Sequence, residues 1–261
     1  MIFAALAVLG GMTGGIALSG MARASGPAIG VSPQCRVPDS LMDTRHSLPA
    51  TTARLGAGQP LSIVAIGSSS TAGAGASHPG ASYPARLNAE LQRRFPDSSV
   101  TVVNRGVGGE TARRMLERFD RDVIALKPHL VIWQIGTNSA MRDHDPAQFR
   151  QVIARGIRIL QSAGADVILM APQFAPRFND TPNRLSFVQA INEAADQTNT
   201  VLFPRHAIMK LWIESGRHDF KAILSPDGLH LNDFSYDCIA QLLTEQIDNI
   251  VRPRLKTRSA R

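Results

Sequence analysis

Aromatic residues and cysteine are scarce in this chain. Aromatics make up 5% of its 261 residues, with two tryptophans and two tyrosines, so aliphatic side chains must carry the core. Nowhere do basic residues interleave with aromatics to make a base-stacking platform, which argues against a nucleic-acid partner. Internal repeats and low-complexity tracts are absent too. No lysine follows Gly67 to complete a phosphate-binding P-loop, and Gly73-Ala74-Gly75 lacks the third glycine of a dinucleotide turn. His144, in Arg142-Asp143-His144-Asp145, has no second histidine at ligand spacing, so no metal is expected. No other cofactor is implied. The apolar opening stretch is short and broken by glycines, unlike a membrane-spanning helix.

The chain does have enough apolar content, 44%, for one domain with a sizeable core. Its formal net charge is +7, part of it in the basic tail 253–261, which reads as a solvated end. A basic surface favours anionic partners such as lipid headgroups or acidic polysaccharides. Residues 1–24 read as a secretory signal peptide without the usual basic start, with Ala22-Arg23-Ala24 as a cleavage site before Ser25. Secretion or periplasmic export is therefore expected. Export would put Cys35 and Cys238 in an oxidising compartment, where they can form a disulfide tying the N-terminal segment to the last helix. The alternative is two buried thiols. Residues 25–60, rich in Pro, Gly, Ser and Ala, read as a linker or extension ahead of the main domain over 61–252.

Along that domain, apolar runs alternate with amphipathic stretches. The runs predict strands at 61–67, 100–103, 130–135, 167–170 and 201–203. Between them, Leu87, Leu91 and Phe95 share one helical face, and so do Met115, Phe119, Val123 and Leu126. The second helix also carries arginines 113, 114, 118 and 121, which read as its solvated side. Asp145-Pro146 opens a third helix as cap and first residue. A fourth should bury Leu185, Val188, Ile191 and Ala195, and Trp133 should lie in the core. Strict alternation of strand and helix predicts an α/β fold: a five-stranded parallel sheet with helices on both faces, a three-layer α/β/α sandwich.

Three successive strands end in glycine-marked turns bearing polar groups: Gly67-Ser68-Ser69-Ser70-Thr71, Asn104-Arg105-Gly106-Val107-Gly108-Gly109, and Gly136-Thr137-Asn138. Near the C-terminus, Asp227 and His230 stand three residues apart. Together these are the parts of an acyl-transfer site. A serine hydroxyl needs a base within hydrogen-bond reach, and the imidazole needs a carboxylate on its other nitrogen. The oxyanion that develops needs donors aimed at it, which the N–H groups of Ser69 and Gly109 and the amide of Asn138 can supply.

In this order the motifs resemble the SGNH, or GDSL-type, hydrolases over about residues 61–250. The first block looks like Gly67-Ser68-Ser69-Ser70-Thr71, the second-block glycine like Gly109, the third block like Gly136-Thr137-Asn138, and the last like Asp227 and His230. The resemblance implies a flavodoxin-like sandwich that cleaves acyl esters, including lysophospholipids, thioesters and acetylated sugars, with Ser69 as nucleophile. It departs at Ser68 and Ser139, where the family commonly has aspartate. Acyl transfer through the same site is an alternative activity. So is a non-catalytic relative that binds glycan or lipid, although such a binder has no need of Ser69, Asp227 and His230 together. Phe174 and Phe178, in the long loop 172–183, can either line an acyl or glycan pocket or simply pack beneath that loop.

Overall fold

The computed structural model describes residue 1 and residues 30–42, 45–142 and 145–259, with side chains through Pro253. After Met1, the predicted signal peptide falls outside the described residues, as does His144. Five parallel strands form one sheet: β1 (Leu61–Gly67), β2 (Val100–Gly106), β3 (Leu130–Gln134), β4 (Asp166–Met170) and β5 (Val201–Phe203). Their order is β2-β1-β3-β4-β5. Every residue of β3 and β4 is buried, as is every residue of β1 except Ser62. Runs of Val, Ile and Leu suit strands covered on both faces.

The helices that position the site are α1 (Pro49–Gly56), α2 (Ser69–Ala72), α3 (Tyr83–Arg94), α4 (Ala112–Glu117), α5 (Thr137–Arg142), α6 (Pro146–Ser162), α7 (Arg184–Gln197), α8 (Arg205–Glu214) and α9 (Asp233–Ser259). α1 and α3 pack on α9 on one face of the sheet, and α4 and α7 pack on α6 on the other. This is the expected three-layer α/β/α sandwich. Asp145 caps α6, its carboxylate accepting from the N–H groups of Ala147 (2.9 Å) and Gln148 (3.3 Å). Trp133 is fully buried and meets Phe119 edge-on at 5.0 Å.

Two expectations about helix faces are corrected. In α7 Ile191 and Ala195 are buried and Val188 partly so, as expected, but Leu185 is 60% exposed, and Phe187, Ala190 and Ala194 complete the buried stripe instead. Phe187 packs on Phe149 of α6 at 5.0 Å and sets the phase of the helix. Arg118, read as solvated, is buried. The stretch after Thr111 is not one helix but Ala112–Glu117, Phe119–Asp122 and a final 3-10 turn, so a single helical phase does not apply. Arg118 turns inward at the first break. It pairs with Glu110 (2.6 Å) and Asp122 (3.0 Å) and donates to the carbonyl of Arg105 (2.9 Å), a residue of β2.

Ahead of the sheet, α1 buries Thr51 and Leu55, and the buried Asp166 of β4 accepts from the Thr51 N–H at 2.7 Å. At the other end, the backbone of α9 stays helical to Ser259, through Pro253 and into the predicted basic tail. Cys35 and Cys238 are joined by a disulfide, with their Cα atoms 5.0 Å apart and a sequence separation of 203. Closing so long a loop restricts the unfolded chain strongly. Cys238→Ser is expected to lower unfolding free energy by up to roughly 5 kcal/mol. Urea unfolding of the variant, and of the native chain with and without reductant, checks this.

Candidate active site

The order β2-β1-β3-β4-β5 reverses direction between β1 and β3, because the chain crosses from β2 over β1 to reach β3. In such a sheet the strand ends on either side of the reversal leave a crevice between them. Gly67 ends β1 at this point, and Ser68 to Ser70 turn directly into α2. A Cβ on Gly67 would lie 2.8 Å from Gln134 Oε1, so only glycine lets the two strand ends approach this closely. Gln134 closes β3 with a fully buried carboxamide. Its oxygen accepts from Ser68 N (3.0 Å), Ser68 Oγ (3.1 Å) and Thr71 Oγ1 (3.2 Å). The serines on either side of Ser69 are buried, whereas Ser69 is only half-buried, at the mouth of the crevice.

The Ser69 hydroxyl lies 2.8 Å from His230 Nε2. The other ring nitrogen, Nδ1, meets Asp227 Oδ2 in a short hydrogen bond. Asp227 Oδ1 accepts from Ser225 Oγ (2.8 Å) and from the N–H groups of Leu229 and His230 (both 3.0 Å). Partial burial alone would raise the Asp227 carboxyl, but these donors outweigh it and hold it well below the usual carboxylate range. The loop itself is pinched shut. Ser225 N–H donates to His230 O at 2.8 Å, and Leu224 and Leu231 bridge antiparallel.

Further contacts tie this loop to the β1 turn. Tyr236 Oη donates to the Ala74 carbonyl at 2.6 Å, and Asp233 accepts from the Ser77 N–H at 2.8 Å. Asn232 caps α9, accepting from Ser235 N–H at 3.1 Å. His230 therefore lies just before a long helix, and the start of that helix is fastened to the loop that follows Ser69.

The remaining strand ends bring Gly109 and Asn138 together. Asn138 Nδ2 donates one hydrogen to Glu110 O at 3.1 Å, next to Gly109, which leaves its second amide hydrogen free. Gly109 has φ +78°, and a Cβ there would sit 3.3 Å from the Arg142 guanidinium. Among the described residues, none accepts from the N–H of Ser69 or of Gly109. Ser139, in the place of the family's aspartate, accepts from Ala112 N–H at 3.1 Å and ties α5 to α4.

Phe178 has no solvent exposure and packs near edge-on to His206, 6.0 Å away. Phe174 is half-buried, edge-on to the same ring at 5.4 Å and stacked on Phe220 at 5.7 Å. Phe178 thus packs under the loop, and Phe174 is the one of the pair with exposed surface. Among the described residues, no cluster of three His, Cys, Asp or Glu side chains could hold a metal ion.

Sequence reasoning missed three residues around the site. Gln134 is the last residue of β3 and Gln173 lies three residues past the end of β4, each a buried polar residue after an apolar run. Ser225 lies two residues before Asp227, at a spacing that lets a hydroxyl reach a carboxylate.

A family model described as "Non-GDSL lipase-like family" matches residues 34–253. The acetylxylan esterase of Geobacillus stearothermophilus is 25% identical over 185 residues, 64% of this chain and 81% of that protein. The thioesterase 1/protease 1/lysophospholipase L1 of Escherichia coli is 25% identical over 175 residues, 66% of this chain and 76% of that protein. Among solved structures, a two-domain esterase active on acetylated mannans is similar with a TM-score of 0.66 and 23% identity. That likeness covers 80% of this chain and 54% of the two-domain protein, and it bears on the fold alone.

His206 provides a pH test of this region. Burial, with help from the cationic Lys210, Arg184 and Arg205, lowers its pKa from 6.5 to about 4. The folded chain keeps this ring neutral while the unfolded chain protonates it. The contribution of His206 to stability is therefore full above about pH 6.5 and is lost as pH falls toward 4. His206→Leu should flatten that part of the stability–pH curve, measured by urea unfolding.

Proposed function

The chain belongs to the non-GDSL lipase-like family and is an ester hydrolase, and from that premise we propose that Ser69 is its nucleophile, His230 its general base and Asp227 the carboxylate that orients the base. The observation that carries this reading is the 2.8 Å contact between His230 Nε2 and Ser69 Oγ, with Asp227 on the opposite ring nitrogen. With Nδ1–H bonded to Asp227, Nε2 is the free acceptor. It takes the Ser69 proton as the oxygen attacks the ester carbonyl.

The carbonyl oxygen becomes an oxyanion facing the N–H groups of Ser69 and Gly109 and the free amide hydrogen of Asn138. His230 then returns the proton to the leaving alkoxide, and an acyl group remains on Ser69. Water, deprotonated by the same imidazole, repeats the sequence and frees the acid. Asp227 stays ionised throughout, supported by three donors on Oδ1.

For the substrate we favour short-chain esters of saccharides. Two of the similar proteins carry names that specify acetylated polysaccharides, and Phe178 lies in the core, unavailable to line a long acyl channel. Activity on p-nitrophenyl esters should be highest at acetyl and fall with chain length, and acetylated xylan should be preferred to lysophospholipid. Highest activity on long acyl chains and lysophospholipid would reverse the substrate assignment.

Two outcomes test the chemistry. A fluorophosphonate should label Ser69 in the native enzyme, and labelling should vanish in Ser69→Ala and His230→Ala. Asn138→Ala should lower kcat by about 10²–10³-fold with KM little changed, as measured loss of one oxyanion donor does.

A further inference from the structure

Behind the candidate active site lies a second buried carboxamide, that of Gln173, between the end of β4 and the short helix Pro176–Asn179. Its Oε1 accepts from Thr137 Oγ1 at 2.8 Å and from Arg205 Nη2 at 3.0 Å. Its Nε2 donates to the carbonyl of Leu229 at 3.2 Å. Thr137 is the residue before Asn138, and Leu229 is the residue before His230. One side chain thus bonds both the segment bearing an oxyanion donor and the loop bearing the acid–base pair, which are otherwise far apart in sequence.

Arg205 fixes which way this amide points. The guanidinium is fully buried at the start of α8, with Nε donating to the Ala171 carbonyl at 2.9 Å. Its Nη1 has no hydrogen-bond partner among the described residues. Arginine is a donor only, so the oxygen of Gln173 must face it and the NH₂ must face Leu229. Burial lowers the Arg205 pKa to about 10, which leaves the group charged at neutral pH. A buried cation without a carboxylate partner is costly, and a neutral amide oxygen meets only part of that cost. Retaining it holds the amide in one orientation, since a flipped Gln173 would set its NH₂ against a fixed positive charge.

We infer that Gln173, oriented by Arg205, is a positioning residue that fixes the distance between the Asn138 donor and the His230 base. The inference rests on the assignment of Ser69, His230 and Asp227 made above. It acts on geometry at the reacting atoms, where a displacement near 1 Å can cost up to about 10²-fold in rate. It therefore predicts a loss in kcat with substrate binding retained.

The test compares Gln173→Glu, Gln173→Met and a control, Gln92→Met, in the full chain. Gln173→Glu keeps an acceptor for Arg205 and Thr137 but turns a second oxygen toward the Leu229 carbonyl, repelling the loop. Gln92 makes two similar bonds, to Ser98 O (3.0 Å) and Val100 N (2.9 Å), at the opposite end of the sheet. Turnover of p-nitrophenyl acetate is normalised to active sites titrated with a fluorophosphonate, so that a smaller folded fraction does not count as slower chemistry.

Both Gln173 variants should lose about 10–100-fold in kcat per titrated site, with KM within about threefold, while Gln92→Met keeps the native kcat. Should the glutamine variants not fold, Thr137→Val removes one donor to Gln173 at nearly constant volume and should lower kcat per site by about 3–10-fold. Native kcat per site in the folded Gln173 variants, or in Thr137→Val if those do not fold, overturns the inference. Ser69→Ala is measured alongside. If it retains turnover, the nucleophile assignment fails. If it is inactive while the Gln173 variants turn over normally, only the positioning role fails.

Discussion

The contact between Ser69 and His230 spans 161 residues of sequence, and most of the architecture around it serves to hold it at 2.8 Å. A hydrogen bond of this kind between half-exposed side chains contributes little by itself, on the order of 1 kcal/mol. It persists because both partners sit on elements fixed by larger forces. Ser69 follows a strand buried on both faces, and His230 precedes a long helix that packs on α3 and α1. The contacts of Tyr236 with Ala74 and of Asp233 with Ser77 lock these two supports together.

Buried neutral amides do the finer positioning. Gln134 lies under the β1 turn and collects three donors, and Gln173 lies under the ends of β3 and β4 and bonds in three directions. Leaving one such group without its partners costs about 1–3 kcal/mol, so each amide strongly penalises any shift of the turns it holds. A carboxylate in the place of Gln134 could form the same bonds only at a higher desolvation cost. Arg118 plays a related part on the outer side, holding the carbonyl of Arg105 at the end of β2 beside the Gly109 turn.

Much of this was legible in the sequence because it depends on local rules. The strand before Gly67 was plain from its apolar run, rich in β-branched residues, and the start of α6 from Asp145-Pro146. The pairing of Cys35 with Cys238 followed from having only two cysteines and from the expectation of export. Ser69, Asp227 and His230 stood out because glycine-marked turns end three successive strands and an Asp-x-x-His pair follows near the C-terminus, the motif order of the SGNH resemblance. What stayed hidden depends on tertiary context. Arg118 looked solvated because one helical phase was assumed across a segment that breaks twice. Leu185 looked buried because nothing local reveals that Phe187 would meet Phe149. The helix Pro49–Gly56 shows no strong apolar stripe, and its anchor is a distant carboxylate, Asp166. Gln173 shows its role only once the segments around Thr137 and Leu229 are seen side by side.

The central claim is that acyl transfer passes through one particular hydroxyl among three adjacent serines. Ser68 is committed to Gln134 and Ser70 is buried, so Ser69 alone is open to an ester. Acid-quenching the enzyme during turnover of p-nitrophenyl acetate and mapping its peptides by mass spectrometry tests this directly. The account predicts one acetyl group on Ser69, present during turnover and absent from Ser69→Ala. Acetyl on Ser68 or Ser70, or hydrolysis with no covalent intermediate under any quench, would contradict it.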